Sequence, residues 1–80
     1  MQTNDDIRLR RHLKKFMRQR MEELSLSEAD LARITGDGPN QIYRAVNGLN
    51  TPSATFFIRL KNALQCSFEE LSGEAELVRS

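Results

Sequence analysis

The chain has eighty residues, 39% of them hydrophobic and 29% charged, with a formal net charge of +1, which supports one domain with a modest core. No apolar run approaches the ~20 residues of a membrane span, and charges interrupt every apolar stretch near the start, so neither a transmembrane helix nor a signal peptide is expected. The single cysteine, Cys66, excludes an internal disulfide and fits a reducing compartment, so the expectation is a cytoplasmic protein without membrane contact.

The balanced net charge conceals an asymmetry. Residues 8 to 20 carry Arg8, Arg10, Arg11, Lys14, Lys15, Arg18 and Arg20 with no acid among them. Residues 69 to 80 carry Glu69, Glu70, Glu74 and Glu76 against Arg79. A basic body with an acidic tail fits a polyanion-binding surface on one side. A solvated helix face followed by an acidic tail accounts for the same counts.

There are no strand signals, no repeats and no low-complexity segments, and the chain reads as five helices. The first is expected from about Asp5 to Leu24, with Asp5 and Asp6 complementing the helix dipole in its first turn. Its inner stripe is Leu9, Leu13, Phe16, Met17, Met21 and Leu24. Ser27 caps the second helix, and Asp30 completes a capping-box pattern. Leu31, Ala32 and Ile34 are its apolar positions, and Gly36-Asp37-Gly38 breaks it.

Pro39 suits the first position of a third helix, with Gly38 as its cap. Ile42, Ala45 and Val46 share one face of that helix, which closes at Asn47-Gly48. Its other face carries Asn40, Gln41, Tyr43, Arg44 and Asn47, which are hydrogen-bonding side chains rather than solubilising Lys and Glu. Two short helices joined by a glycine turn are the helix-turn-helix pattern. After an Asn50-Thr51-Pro52 loop, Ser53 caps a fourth helix reaching about Leu64, with Ala54, Phe57, Leu60, Ala63 and Leu64 inward. Ser67 and Glu70 form a capping box on a short fifth helix that ends at Gly73. The ordered core is expected over about 5–73, with 74–80 a flexible tail.

These residues together resemble the Cro/C1-type (lambda repressor-like, XRE) helix-turn-helix family. The resemblance rests on LSEADLA at 26–32, with Ala32 as the small residue of the first motif helix. Gly36 is the turn glycine, Ile42 the buried β-branched residue, Asn47-Gly48 the exit and Pro52-Ser53 the start of the fourth helix. LKNALQCSFEEL at 60–71 is the closing pattern. The resemblance implies an all-α, compact five-helix domain with a central helix-turn-helix, a single domain over 1–80.

Three positions depart from the family pattern. The first residue of the first motif helix is commonly a phosphate-contacting Gln and is Glu28 here. A buried Arg in helix one and its acidic partner in the recognition helix are replaced by Met21 and Val46. The residue after the turn glycine, usually apolar, is Asp37.

The resemblance implies sequence-specific binding of duplex DNA in transcription regulation. The recognition helix, about 39–47, would enter the major groove of a pseudo-palindromic site bound by a homodimer. Asn40 and Arg44 match base-reading positions, since Asn pairs with adenine and Arg with guanine, and Gln41 and Tyr43 flank them. Ser27, Asn47, Asn50 and Thr51 are the expected phosphate contacts, together with some of the helix-one basic residues. Asn47 and Asn50 also suit turns for their own reasons. Phe56, Ile58, Phe68 and Leu77 are candidates for an apolar dimer patch.

A protein-binding adaptor or antitoxin-type module of the same fold is the alternative, and Glu28 and the modest net charge favour a protein partner. An enzyme is not expected, because no serine has a partner base and no glycine-rich phosphate loop is present. Neither a cofactor nor a metal is expected. His12 lacks a partner at metal spacing and reads as a solvated helix residue, and Cys66 reads as a buried structural thiol.

Overall fold

Each of the five described helices is followed within two residues by one in the left-handed region. The computed structural model describes residues 4–74 and contains α1 (Asn4–Glu23), α2 (Glu28–Thr35), α3 (Pro39–Val46), α4 (Ala54–Ala63) and α5 (Phe68–Ser72). Gly36, Gly48 and Gly73 follow α2, α3 and α5 with φ of 77°, 68° and 87°, a left-handed geometry that costs glycine little. After α1 and α4 the same role falls to Ser25 (φ 56°) and Gln65 (φ 53°), which nothing in the sequence singles out. In each case the next amide reaches back to a carbonyl of the last turn: Leu26 N–H to Met21 at 2.8 Å and Cys66 N–H to Lys61 at 3.2 Å.

The helix starts follow the sequence reading. Ser27 accepts from the Asp30 amide and Ser67 from the Glu70 amide, and each acidic side chain answers the cap's own N–H. The Ser27 backbone bond and hydroxyl, reinforced by Arg33, hold the Asp30 carboxyl below the ordinary aspartate range. Ser53 caps α4 through the Phe56 amide, and Pro39 sits in the first turn of α3.

One core joins the five helices. Leu13, Met17 and Met21 of α1, Leu31 and Ala32 of α2, and Ile42, Ala45 and Val46 of α3 meet Phe56, Leu60, Leu64 and Leu71. α1 lies against both α3 and α5, while α2 packs on α3 and α4. Arg20 adds a polar tie from α1, donating to the Leu64 and Gln65 carbonyls at 2.8 and 2.9 Å and so closing the C-terminal end of α4.

Several sequence expectations need correction. Phe56, expected in a surface patch, is 2% exposed and plugs the core beside the α3–α4 loop. Phe56, Leu60 and Leu64 form the inner line of α4, a four-residue spacing that fits the helix as well as the line through Phe57. Phe57 is half-buried and stacks on Phe68 (5.9 Å between centroids), and Ala54 is exposed.

Ile34 is 54% exposed, and Thr35 takes its inward place. The Thr35 hydroxyl is satisfied by donating to the Leu31 carbonyl at 2.9 Å, and its oxygen accepts from the Asp37 amide at 3.3 Å. Ile58 and Phe68 are 46% and 45% exposed, and Leu77 lies outside the described residues, as do residues 75–80 of the expected tail.

Candidate nucleic-acid interface

The two faces of α3 are sharply divided. Ile42, Ala45 and Val46 are buried, while Asn40, Gln41, Tyr43 and Arg44 are all exposed. The 3.6-residue period places the first set against α1 and α2 and leaves the second set turned outward. α3 carries no acid in its first turn, so nothing on that turn repels an approaching polyanion.

The four residues expected near phosphates have different surroundings. Ser27 is exposed, and its oxygen is engaged as the α2 cap. Asn50 and Thr51 are exposed on the rim of a cleft of about 70 Å³ shared with Gln41 and Phe56. Thr51 Oγ1 accepts from Arg10 Nε at 3.0 Å. Asn47 is half-buried and has both ends of its amide engaged: Oδ1 accepts from Arg18 at 2.8 Å, and Nδ2 donates to the Tyr43 carbonyl at 2.8 Å.

The three departures also have locations. Met21 and Val46 are 7% and 4% exposed and line the same surface hollow, so apolar packing occupies the place of the family's ion pair. Glu28 is exposed in the first turn of α2, on the rim of that hollow with Arg18 and Glu22. Asp37 is bonded twice by the Arg59 guanidinium, which, with a smaller contribution from Thr35, holds its carboxyl below the ordinary aspartate range. Arg10, Arg18, Arg20 and Arg59 make long-range contacts that sequence spacing did not reveal. Each reaches a residue 22 or more positions away.

His12 is not the solvated residue expected of it. It is half-buried, stacks on Phe16 at 5.5 Å, and its Nε2 lies 2.6 Å from the Glu70 carbonyl, a bond that ties α1 to α5. Cys66 is half-buried, with Sγ 3.8 Å from the Lys61 carbonyl, and burial pushes its thiol up from the ordinary value. Among the described residues no group of three His, Cys, Asp or Glu side chains is placed to hold a metal, and no helix is long and apolar enough to cross a membrane.

A helix-turn-helix family model matches residues 17–71, which spans the last part of α1 through α5. No curated protein and no solved structure matches the chain. That family binds DNA and is typically non-enzymatic. The match, the capped α2–α3 pair with its Gly36 turn and the outward polar face of α3 together make the assignment: the chain belongs to the Cro/C1-type (XRE) helix-turn-helix family and is an all-α DNA-binding domain of that class.

Proposed function

We propose that this domain is a sequence-specific transcriptional regulator that acts in the cytoplasm on duplex DNA. α3 lies in the major groove, and Asn40, Gln41, Tyr43 and Arg44 meet base edges. The observation that carries this reading is the outward set of polar α3 side chains on a helix whose opposite face is fully buried. A single short helix reads few base pairs, so the reading includes a homodimer on two half-sites about 10 base pairs apart. Ile58 and Phe68, nearly half exposed, are the remaining described candidates for its apolar patch.

Selection of bound duplexes from a random pool tests the proposal. A two-fold related motif with one-turn spacing is the expected result. A pool that stays random after several rounds overturns sequence specificity.

A second reading, a protein-binding module of the same fold, draws on Glu28 and Glu22. Both are exposed beside the hollow at Met21 and Val46, where they would suit a basic protein partner. Retention of a basic peptide together with failure to shift any duplex at low salt would select it.

A further inference from the structure

The segment leaving α3 runs alongside α1 in the opposite direction. Asn47 is bonded to Arg18 at 2.8 Å, and Thr51, four residues on, is bonded to Arg10 at 3.0 Å. Between these ties, a Cβ added at Gly48 would sit 3.0 Å from the Arg10 carbonyl oxygen and 3.6 Å from Lys14 Cβ. Arg10, Lys14 and Arg18 recur at four-residue intervals, so they share one face of α1 at steps of about 6 Å. Lys14 and Arg18 are exposed, and Arg10 partly so. No ion pair among the described residues engages any of the three. An open cleft of about 250 Å³ lies beside this row, lined by Ile7, Arg10, Arg11, Lys14, Asn47 and Gly48.

The bonding pattern assigns roles. The Asn47 amide has its oxygen committed to Arg18 and its nitrogen to the Tyr43 carbonyl. Asn47 keeps a single N–H beyond these bonds, whereas Arg18 keeps most of its five donors, so Asn47 is better placed to orient that guanidinium than to be the main phosphate ligand. Thr51 does the same for Arg10, whose terminal nitrogens remain available beyond the Nε bond. Attraction of cations to the carbonyl end of α3 accounts for Arg18 alone, because that effect fades within one turn. It does not account for the row continuing through Lys14 to Arg10.

Resting on the DNA-binding reading above, we infer that Arg10, Lys14 and Arg18 form a second edge that grips the sugar-phosphate backbone beside the recognition helix. Asn47 and Thr51 are its positioning residues rather than phosphate ligands. Such an edge adds affinity without sequence information and raises the salt dependence of binding.

The test uses the full chain with a fluorescent random duplex and a duplex selected from the pool, each titrated at several salt concentrations. Arg10→Gln, Lys14→Gln and Arg18→Gln should each reduce the slope of log K against log salt by about 0.9, equally on both duplexes. Lys15→Gln, on another face of α1, should change it much less. Asn47→Ala should weaken binding in the parent chain and have no further effect once Arg18→Gln is present. Melts of each protein confirm that the fold is kept. Slopes that match the parent, or that fall as much for Lys15→Gln, overturn the inference while leaving DNA binding intact. An Asn47→Ala loss that persists in the Arg18→Gln background restores Asn47 as a direct ligand and overturns its positioning role. A parent chain that binds neither duplex overturns the DNA-binding reading itself, and the inference with it.

Discussion

The guanidinium of Arg59 in α4 donates to both carboxylate oxygens of Asp37, at 3.0 and 2.7 Å, pinning the turn between α2 and α3 to the neighbouring α4. The Asp37 side chain is 9% exposed, so removing the charge leaves a fixed guanidinium without its fork partner. Asp37→Asn should lower the melting midpoint by a few degrees at pH 7. The folded carboxyl is held below the ordinary value of about 3.9, so its contribution is complete above that pH and is lost as the pH falls through the depressed range. Melts at pH 7 and pH 3 check this: the gap between parent and Asn variant should narrow in acid. A gap independent of pH would mean that the charge is not what stabilises the turn.

Gly48 and Gly36 separate two costs of a side chain. Both have positive φ, at 68° and 77°, so alanine at either incurs about 1–2 kcal/mol of backbone strain. At Gly36 nothing lies within 4 Å of the added Cβ, whereas at Gly48 the Arg10 carbonyl oxygen is 3.0 Å away and belongs to rigid α1 backbone. Gly48→Ala should therefore cost clearly more than Gly36→Ala in urea unfolding. Equal losses would show that α1 and the α3 exit separate freely.

Met21 and Val46 should behave as one unit. Met21→Ala removes most of a buried side chain and should cost about 2–5 kcal/mol. Val46→Glu alone buries an unpaired charge at a position 4% exposed and should be severely destabilising. Met21→Arg combined with Val46→Glu should recover part of that loss, measured by chemical denaturation of all four proteins. A double variant no better than the worse single one would separate the two sites.

Arg44 and Glu28 should act on different observables. Both are exposed, so neither Arg44→Ala nor Glu28→Gln should move the melting midpoint by much. Arg44→Ala should weaken binding to the selected site by about 1–3 kcal/mol and relax preference at one base pair. Glu28→Gln should tighten binding to selected and random duplexes alike, since an amide can donate to a phosphate oxygen and a carboxylate cannot. Affinities at matched salt decide both. An Arg44→Ala protein with full affinity would remove α3 from the base edges.

How much was legible follows from how far apart the partners lie. Ser27 with Asp30 and Ser67 with Glu70 are three residues apart, and both capping boxes stand where the sequence places them. The buried and outward faces of α3 follow from its own periodicity, so the candidate reading face is legible in the sequence. Phe56 and Phe57 are adjacent, and either completes an apolar line with Leu60; only the fit against the α3–α4 loop selects Phe56. Arg59 with Asp37, Arg20 with the α4 carbonyls, and Arg18 with Asn47 join distant residues, and an arginine that braces looks the same in sequence as one that is solvated.

The split between the two faces of α3 also separates what holds the helix from what it presents. Ile42, Ala45 and Val46 hold the helix in place, while Asn40, Gln41, Tyr43 and Arg44 stand outside the core. A library randomised at those four exposed positions, excluding proline and glycine, should stay largely folded, because surface substitutions usually change stability by about 0.5 kcal/mol or less. On the proposed reading, operator preference would then change through single steps that leave the core residues of α3 untouched. Asn47 is the boundary of that freedom, because its amide is spoken for on both sides.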